Sequence, residues 1–302
     1  MSDGAERPFV AEPPGAVDDV VTAATTAAQH WGLPAPQLLR LGMNGTFAAG
    51  DDVVLRVSRP SVPAGQALWL AGELARHGVR VPAPARDDVV VHGGLSVVAV
   101  ERIHPAGAVD WAEVGAMVAR VHALDPATVT GRHPLPWCGS FPWWDFDALL
   151  ADVGPAIDAV ALAALRASVE RCYPLIAATR DDTGVVCHGD VHPGNVLPTA
   201  DGSVLLDWDL LCRGPIAWDH GPLMTWTERW GGEPGIYERF ADGYGESLRG
   251  DPLGEAVAEL RLVAATLMRV RAGRADPLGA VEAERRLRWW RGDPGAPTWA
   301  AQ

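Results

Sequence analysis

No stretch of this sequence approaches the roughly 18 consecutive apolar residues that a membrane-spanning helix needs, so no membrane partner is expected. The opening residues, Met1 to Pro14, carry Asp3, Glu6 and Glu12 and lack the apolar core of a secretory signal. Cysteine is scarce. The four present, Cys138, Cys172, Cys187 and Cys212, show no C-x-x-C pairing, which points to buried free thiols in a reducing cytoplasm. Positive charge is in deficit: 25 Lys and Arg stand against 38 Asp and Glu, a formal net charge of −13. A nucleic-acid partner would want a basic face, so that class is not expected. A cationic small ligand is compatible with the excess of acid, as is simple solubility. Internal repeats and low-complexity tracts are absent as well.

What is present looks like an ordinary globular chain. Of its 302 residues 48% are hydrophobic and 21% charged, enough to bury a sizeable core in one large domain or two modest ones. Residues 1–16 read as a loose terminus. Val17, Val20, Val21, Ala24, Ala28 and Trp31 then recur at helical spacing until Gly32 and Pro34. Asp52 to Ser58 alternates as a strand, with Val53, Leu55 and Val57 on one face and Val54, Arg56 and Ser58 on the other. Residues 66–77 read as a helix ending at Gly78. Val89–Val91 and Leu95–Ile103 flank His92-Gly93-Gly94 as a hairpin.

Beyond Ile103 the texture becomes helical. Asp110 is placed to cap a helix, with Glu113 completing a capping box. Val114, Met117, Val118, Val121 and Leu124 form its apolar stripe. Further helices are expected over 156–178 and 255–272. Short strands are expected at Val185–Cys187, Asn195–Leu197 and Ser203–Asp207, the last two joined by an Asp201-Gly202 turn. The expected architecture is α+β and two-lobed: a small β-rich lobe over residues 1–103, a hinge near 101–104, and a larger helical lobe over 104–302.

One segment carries chemistry: His188-Gly189-Asp190-Val191-His192-Pro193-Gly194-Asn195, followed by Asp207-Trp208-Asp209. It offers a carboxylate on a tight Gly/Pro loop, then an amide, then two carboxylates at a strand end. Phosphoryl transfer needs such a set, with one carboxylate to orient the attacking hydroxyl and oxygen ligands to hold Mg²⁺ on the phosphates. A zinc site on His188 and His192 would need a helix to bring residues four apart together, and Gly189, Pro193 and Gly194 oppose one.

The segment resembles the catalytic loop of the aminoglycoside phosphotransferase and choline kinase family, His-Gly-Asp-x-His-x-x-Asn, at every specified position. The resemblance implies a protein-kinase-like fold, Asp190 as catalytic base, His188 as a loop-orienting residue, and Asn195 and Asp207 as Mg²⁺ ligands, with Asp209 as a further acid. It implies ATP or GTP as phosphoryl donor and a small hydroxylated acceptor such as an aminoglycoside, an amino sugar or another amino alcohol. Gly214-Pro215-Ile216-Ala217-Trp218-Asp219 resembles the family's Gly-x-Pro-x-x-Asp segment, with Asp219 bonding catalytic-loop amides. Val121-His122-Ala123-Leu124 resembles its Leu-His helix end, with His122 structural. Only residues 210–218 separate Asp209 from Asp219, too few for the activation segment of a protein kinase.

In the first lobe, Leu41 to Phe47 resembles the phosphate-covering turn, with Asn44, Gly45 and Thr46 toward the nucleotide. Arg56 stands where protein kinases place a strand lysine, and Arg can grip phosphate oxygens bidentately. Its helix partner would be Gln66 or Glu73. Val100 to Ile103 resembles the hinge strand, Glu101 and Ile103 supplying backbone groups to the nucleotide base. Asp145, Asp147, Asp152, Glu228, Glu233, Glu238 and Asp242 fall in acceptor-side segments and would favour a cationic acceptor, though Arg229 and Arg239 interleave as on a solvated mixed-charge face. Tryptophans 137, 143, 144, 226 and 230 are core or acceptor-stacking residues. The alternative reading is a nucleotide-binding pseudokinase acting as an interaction module.

Overall fold

The computed structural model describes residues 12–59 and 62–300. Residues 1–11 of the terminus read as loose therefore lie outside the described residues. The first lobe opens with α1 (Val17–His30), whose inner stripe is Val20, Ala23, Ala24, Ala27 and Ala28. Small side chains let it lie close on the sheet formed by β1 (Gln37–Leu41), β2 (Gly45–Ala48), β3 (Val53–Ser58), β4 (Val90–His92) and β5 (Leu95–Glu101). The strand order is β1-β2-β3-β5-β4, antiparallel throughout. Leu55 and Val57 are buried against α1 with Phe47, Leu95, Val97 and Ala99, as the alternation of β3 requires. Val17 and Val21 instead face solvent. Both Gly93 and Gly94 have positive φ, 57° and 77°, the backbone of a two-residue hairpin turn that favours glycine. Helix α2 (Ala64–Arg76) follows β3.

The second lobe begins with α3 (Trp111–His122), capped by Asp110, which accepts from the amides of Ala112 and Glu113. The capping box is not completed. The Glu113 carboxylate pairs with Arg80 and accepts from the Ser203 amide, stronger partners than the cap residue's own amide. Helices α4 (Pro126–Thr130), α5 (Phe146–Val153) and α6 (Ala159–Ala177) lead to the strand pairs β6 (Val185–Cys187) with β9 (Cys212–Gly214) and β7 (Val196–Thr199) with β8 (Gly202–Leu205). Thr199 pairs with Gly202, so the turn is Ala200-Asp201, one residue earlier than expected. Then come α7 (Ala217–Met224), α8 (Trp226–Trp230), α9 (Ile236–Tyr244), α10 (Pro252–Ala272) and α11 (Pro277–Trp290). All four cysteines are buried and free.

Helix α3 crosses α9 at backbone distance. A Cβ on Gly243 would stand 1.8 Å from the Ala112 carbonyl oxygen, and one on Gly115 2.0 Å from that of Phe240. Gly→Ala inside a helix ordinarily stabilises by about 0.5–1 kcal/mol. Here the crossing must open, so Gly243→Ala is expected to destabilise by about 1–3 kcal/mol. Urea unfolding with a lower midpoint at unchanged slope is the measurement; an unchanged or higher midpoint refutes the close crossing.

Candidate active site

The loop after β6 is shaped by one glycine and one buried carboxylate. Gly189 has φ +94°, and a Cβ there would lie 2.1 Å from the Leu210 carbonyl oxygen. Asp219, wholly buried near the start of α7, accepts from the amides of His188 and Gly189, each at 2.8 Å, and from His122 Nε2 at 3.1 Å. His122 Nδ1 in turn meets the Tyr244 hydroxyl at 2.9 Å. Burial works against the Asp219 charge, yet His122, His188 and the Gly189 amide hold it below the usual carboxylate range. His188 is buried and links two strands of the loop. Its Nδ1 accepts from the Asp190 amide at 3.2 Å, so its Nε2 donates to the Leu206 carbonyl at 2.9 Å.

Asp190 stands at the loop tip, its side chain 32% exposed. Three donors converge on it: His192 Nε2 at 3.3 Å and Asn195 Nδ2 at 3.3 Å on one oxygen, and Arg261 Nη1 at 3.7 Å on the other. Burial raises the carboxyl, but the His192 hydrogen bond and the charges of His192, Arg261 and His188 outweigh it and hold the pKa at about 2. The group is an ionised acceptor across the whole physiological range.

Asn195 also donates to the Asp190 carbonyl at 3.0 Å. Its nitrogen is thus committed to Asp190, which leaves the amide oxygen as the atom able to ligate a cation. Asp207 has φ +60°, unusual for a residue with a Cβ. Burial, then the nearby Asp209 carboxylate, push Asp207 above the ordinary carboxylate range, against the pull of Arg56. Two close carboxylates and an amide oxygen are hard oxygen donors and suit Mg²⁺.

Arg56 reaches across from β3 to this pair. Its Nη2 lies 3.3 Å from Asp207 and closer to Asp209. Asn44, with its amide oxygen turned to the guanidinium, accepts from Nη2 at 2.8 Å. Thr46 is the cross-strand neighbour of Arg56. The expected helix partner is not found. Glu73 is engaged by Arg76 and by His77 at 3.1 Å, and Gln66 makes no bond to Arg56. The chain contains no lysine, so its fixed cations are all arginines. At Gly45 a Cβ would meet Val20 Cγ1 at 2.5 Å, so the glycine also admits α1. At the hinge, Glu101 donates its amide to Ala83 and Arg102 donates to Asp52. The Ile103 amide makes no bond to the described residues.

A cavity of about 400 Å³ opens beside Asp190. Its walls hold three arginines, Arg261, Arg269 and Arg286, and the tryptophans of α8. Trp226 is stacked with both His192 and Trp230, each at 5.2 Å, while Trp144 is core. Four of the seven acids expected around a cationic acceptor are engaged elsewhere. Asp152 pairs with Arg274 at 2.7 Å, Glu233 with Arg239 at 2.9 Å and Glu238 with Arg249 at 3.1 Å, and Asp145 caps α5. None of them lines this cavity. Arg261, which also donates to the Gly189 carbonyl, escaped the sequence reading. The one available signal was an arginine at positions 261 and 269 on the same face of a largely buried helix.

The fold and this loop define a two-lobed, kinase-like α+β protein. Residues 37–260 match the family model described as the phosphotransferase enzyme family (APH), and the chain belongs to that family. Among solved structures, it is similar to aminoglycoside phosphotransferase APH(2″)-IIIa with GDP and kanamycin (15% identity, TM-score 0.67, 90% of this chain and 98% of that one). It is also similar to spectinomycin phosphotransferase APH(9)-Ia with ADP and spectinomycin (15%, 0.63, 85% and 89%). A third is macrolide 2′-phosphotransferase MphH from Brachybacterium faecium (20%, 0.57, 92% and 99%). A search of curated proteins gives no match.

Proposed function

We propose that this phosphotransferase moves the γ-phosphoryl group of ATP or GTP onto a hydroxyl of a small molecule. Residues 1–103 would form the nucleotide lobe and residues 104–302 the catalytic and acceptor lobe. The observation that carries this reading is the placement of Asp190. It is ionised, loop-mounted, open to a ligand-sized cavity, and bonded to Asn195, whose backbone carbonyl accepts from the amide of Leu206, the residue before Asp207. In this reading Asp190 orients the attacking hydroxyl and accepts its proton as the bond forms. His188 and Asp219 keep the loop in place. Asn195, Asp207 and Asp209 would hold Mg²⁺, which would neutralise charge on the phosphates. Asn44, Thr46 and Arg56 would face the phosphates, and the backbone of Glu101 and Ile103 the base.

The proposal is tested by Mg²⁺-dependent turnover of labelled nucleotide, alone and against a panel of hydroxylated metabolites and antibiotics. Absence of Mg²⁺-dependent turnover with every member would favour the pseudokinase alternative, whose support is that neither Gln66 nor Glu73 partners Arg56. Within the proposal, phosphate oxygens displace the carboxylates from Arg56. Arg56→Ala should then raise the nucleotide KM about ten- to hundredfold, a charge-assisted contact's worth, and Arg56→Lys should restore part of it. Unchanged nucleotide kinetics in Arg56→Ala would remove Arg56 from the phosphate site.

A further inference from the structure

The cavity beside Asp190 has the opposite charge from the protein as a whole. The chain carries a net −13, yet this cavity is lined by three arginines and a single carboxylate, that of Asp190. Two of the arginines have work within the fold. Arg261 holds the Gly189 carbonyl and faces Asp190. Arg286 is bound by Glu282 at 3.0 Å and by the carbonyls of Ala265 at 2.8 Å and Ala300 at 3.1 Å. Arg269 differs. Its side chain makes no ion pair and no hydrogen bond among the described residues, whereas the Nε that Arg261 and Arg269 each leave unpartnered is common to both. This guanidinium is part-buried at the cavity wall with no carboxylate paired to it. It suits a site whose ligand completes it, since its planar fork matches carboxylate, sulfate or phosphate oxygens.

The position along α10 gives the ligand its dimensions. Arg261, Ala265 and Arg269 follow one another at every fourth residue and share a face. Eight residues of helix rise about 12 Å, so Arg261 marks the reacting end at Asp190 and Arg269 the far end. Leu262, Ala265 and Met268 supply the apolar floor between them. Trp226 closes the side as part of a stack with His192 and Trp230, which already occupies its ring surface. About 400 Å³ is ample for a single small molecule.

We propose that the acceptor is an anionic hydroxylated compound, its carboxylate, sulfate or phosphate bound by Arg269 and its hydroxyl held at Asp190. This rests on the phosphotransferase reading only for the hydroxyl end; the anion site stands on Arg269 and the cavity. The probes are three biphenyls of equal length, each with a 4′-hydroxymethyl group and differing at the 4-position: carboxylate, carboxamide or aminomethyl. Their affinities are measured by calorimetry on the full chain in saturating Mg-ADP. The carboxylate should bind about ten- to hundredfold more tightly than either of the others, the effect of one charge-assisted contact. Arg269→Gln should erase that preference, and Arg269→Lys should keep part of it. Equal or tighter binding of the amide or the ammonium compound overturns the proposal. So does failure of the carboxylate to bind, or a preference that survives in Arg269→Gln. Mg²⁺-dependent nucleotide turnover is read in parallel. A carboxylate preference without turnover would sink the phosphotransferase reading and leave the anion site standing.

Discussion

Asp190→Asn is expected to lower turnover by about 10²- to 10⁴-fold, the usual contribution of a positioned general base, with nucleotide affinity left within about threefold. The carboxylate receives donors from His192, Asn195 and Arg261, and an ionised acceptor is what all three are arranged around. An asparagine offers one acceptor oxygen, and its NH₂ must face one of those donors. The attacking hydroxyl then loses both its orienting partner and the destination of its proton. Arg56, Asp207 and Asp209, on the nucleotide side, are untouched, so binding of Mg-nucleotide should persist. Steady-state kcat on an identified acceptor, with calorimetry of nucleotide binding, checks the split. Turnover within about threefold of the unsubstituted enzyme would show that Asp190 is not the base. The pH profile adds a sign. With its pKa held at about 2, Asp190 stays ionised down to that value, so any loss of activity on mild acidification belongs to another group.

The catalytic loop could be read from the sequence because its chemistry is local. Gly189 is demanded by a positive φ, Asn195 follows Asp190 within a turn, and Asp207 and Asp209 follow on the next hairpin. The alternation of β3 likewise announced which face meets α1. Residues that act over long separations left no such trace. Arg261 meets Gly189 from 72 residues away, and only the second arginine two turns on, Arg269, hints that this face of α10 is not plain core. Glu113 fitted a capping box by spacing, but tertiary partners, Arg80 and Ser203, drew it off. Gly45 sat in a phosphate-like turn, while its need for a bare Cα comes from Val20 on α1. The acids of residues 145–152 and 228–242 could be counted but not paired, because their arginines lie in other helices or turns.

Asp219→Asn is expected to cost about 2–5 kcal/mol, the penalty for leaving buried N–H donors without their acceptor, and to lower kcat with it. Both carboxylate oxygens are used: Oδ1 takes the Gly189 amide, and Oδ2 takes the His188 amide and His122 Nε2. Asparagine of the same shape keeps one oxygen. Its NH₂ would be pressed against an N–H donor with no water to intervene, leaving two buried donors in conflict. The two amides belong to the residues just before Asp190, so the catalytic loop loses its anchor at the point where position matters most. Chemical denaturation measures the stability loss, and the unaltered nucleotide lobe serves as an internal reference. The pH dependence follows from the depressed native pKa of Asp219. Because the unfolded carboxyl titrates near 3.9, the stability this group contributes is fully present above that pH. It is lost as pH falls through the lower native value. Asp219→Asn should therefore be destabilised relative to the unsubstituted protein at neutral pH, with the gap narrowing in strong acid. A variant that folds with an unchanged midpoint and retains turnover would show that the His188 and Gly189 amides find their partners elsewhere.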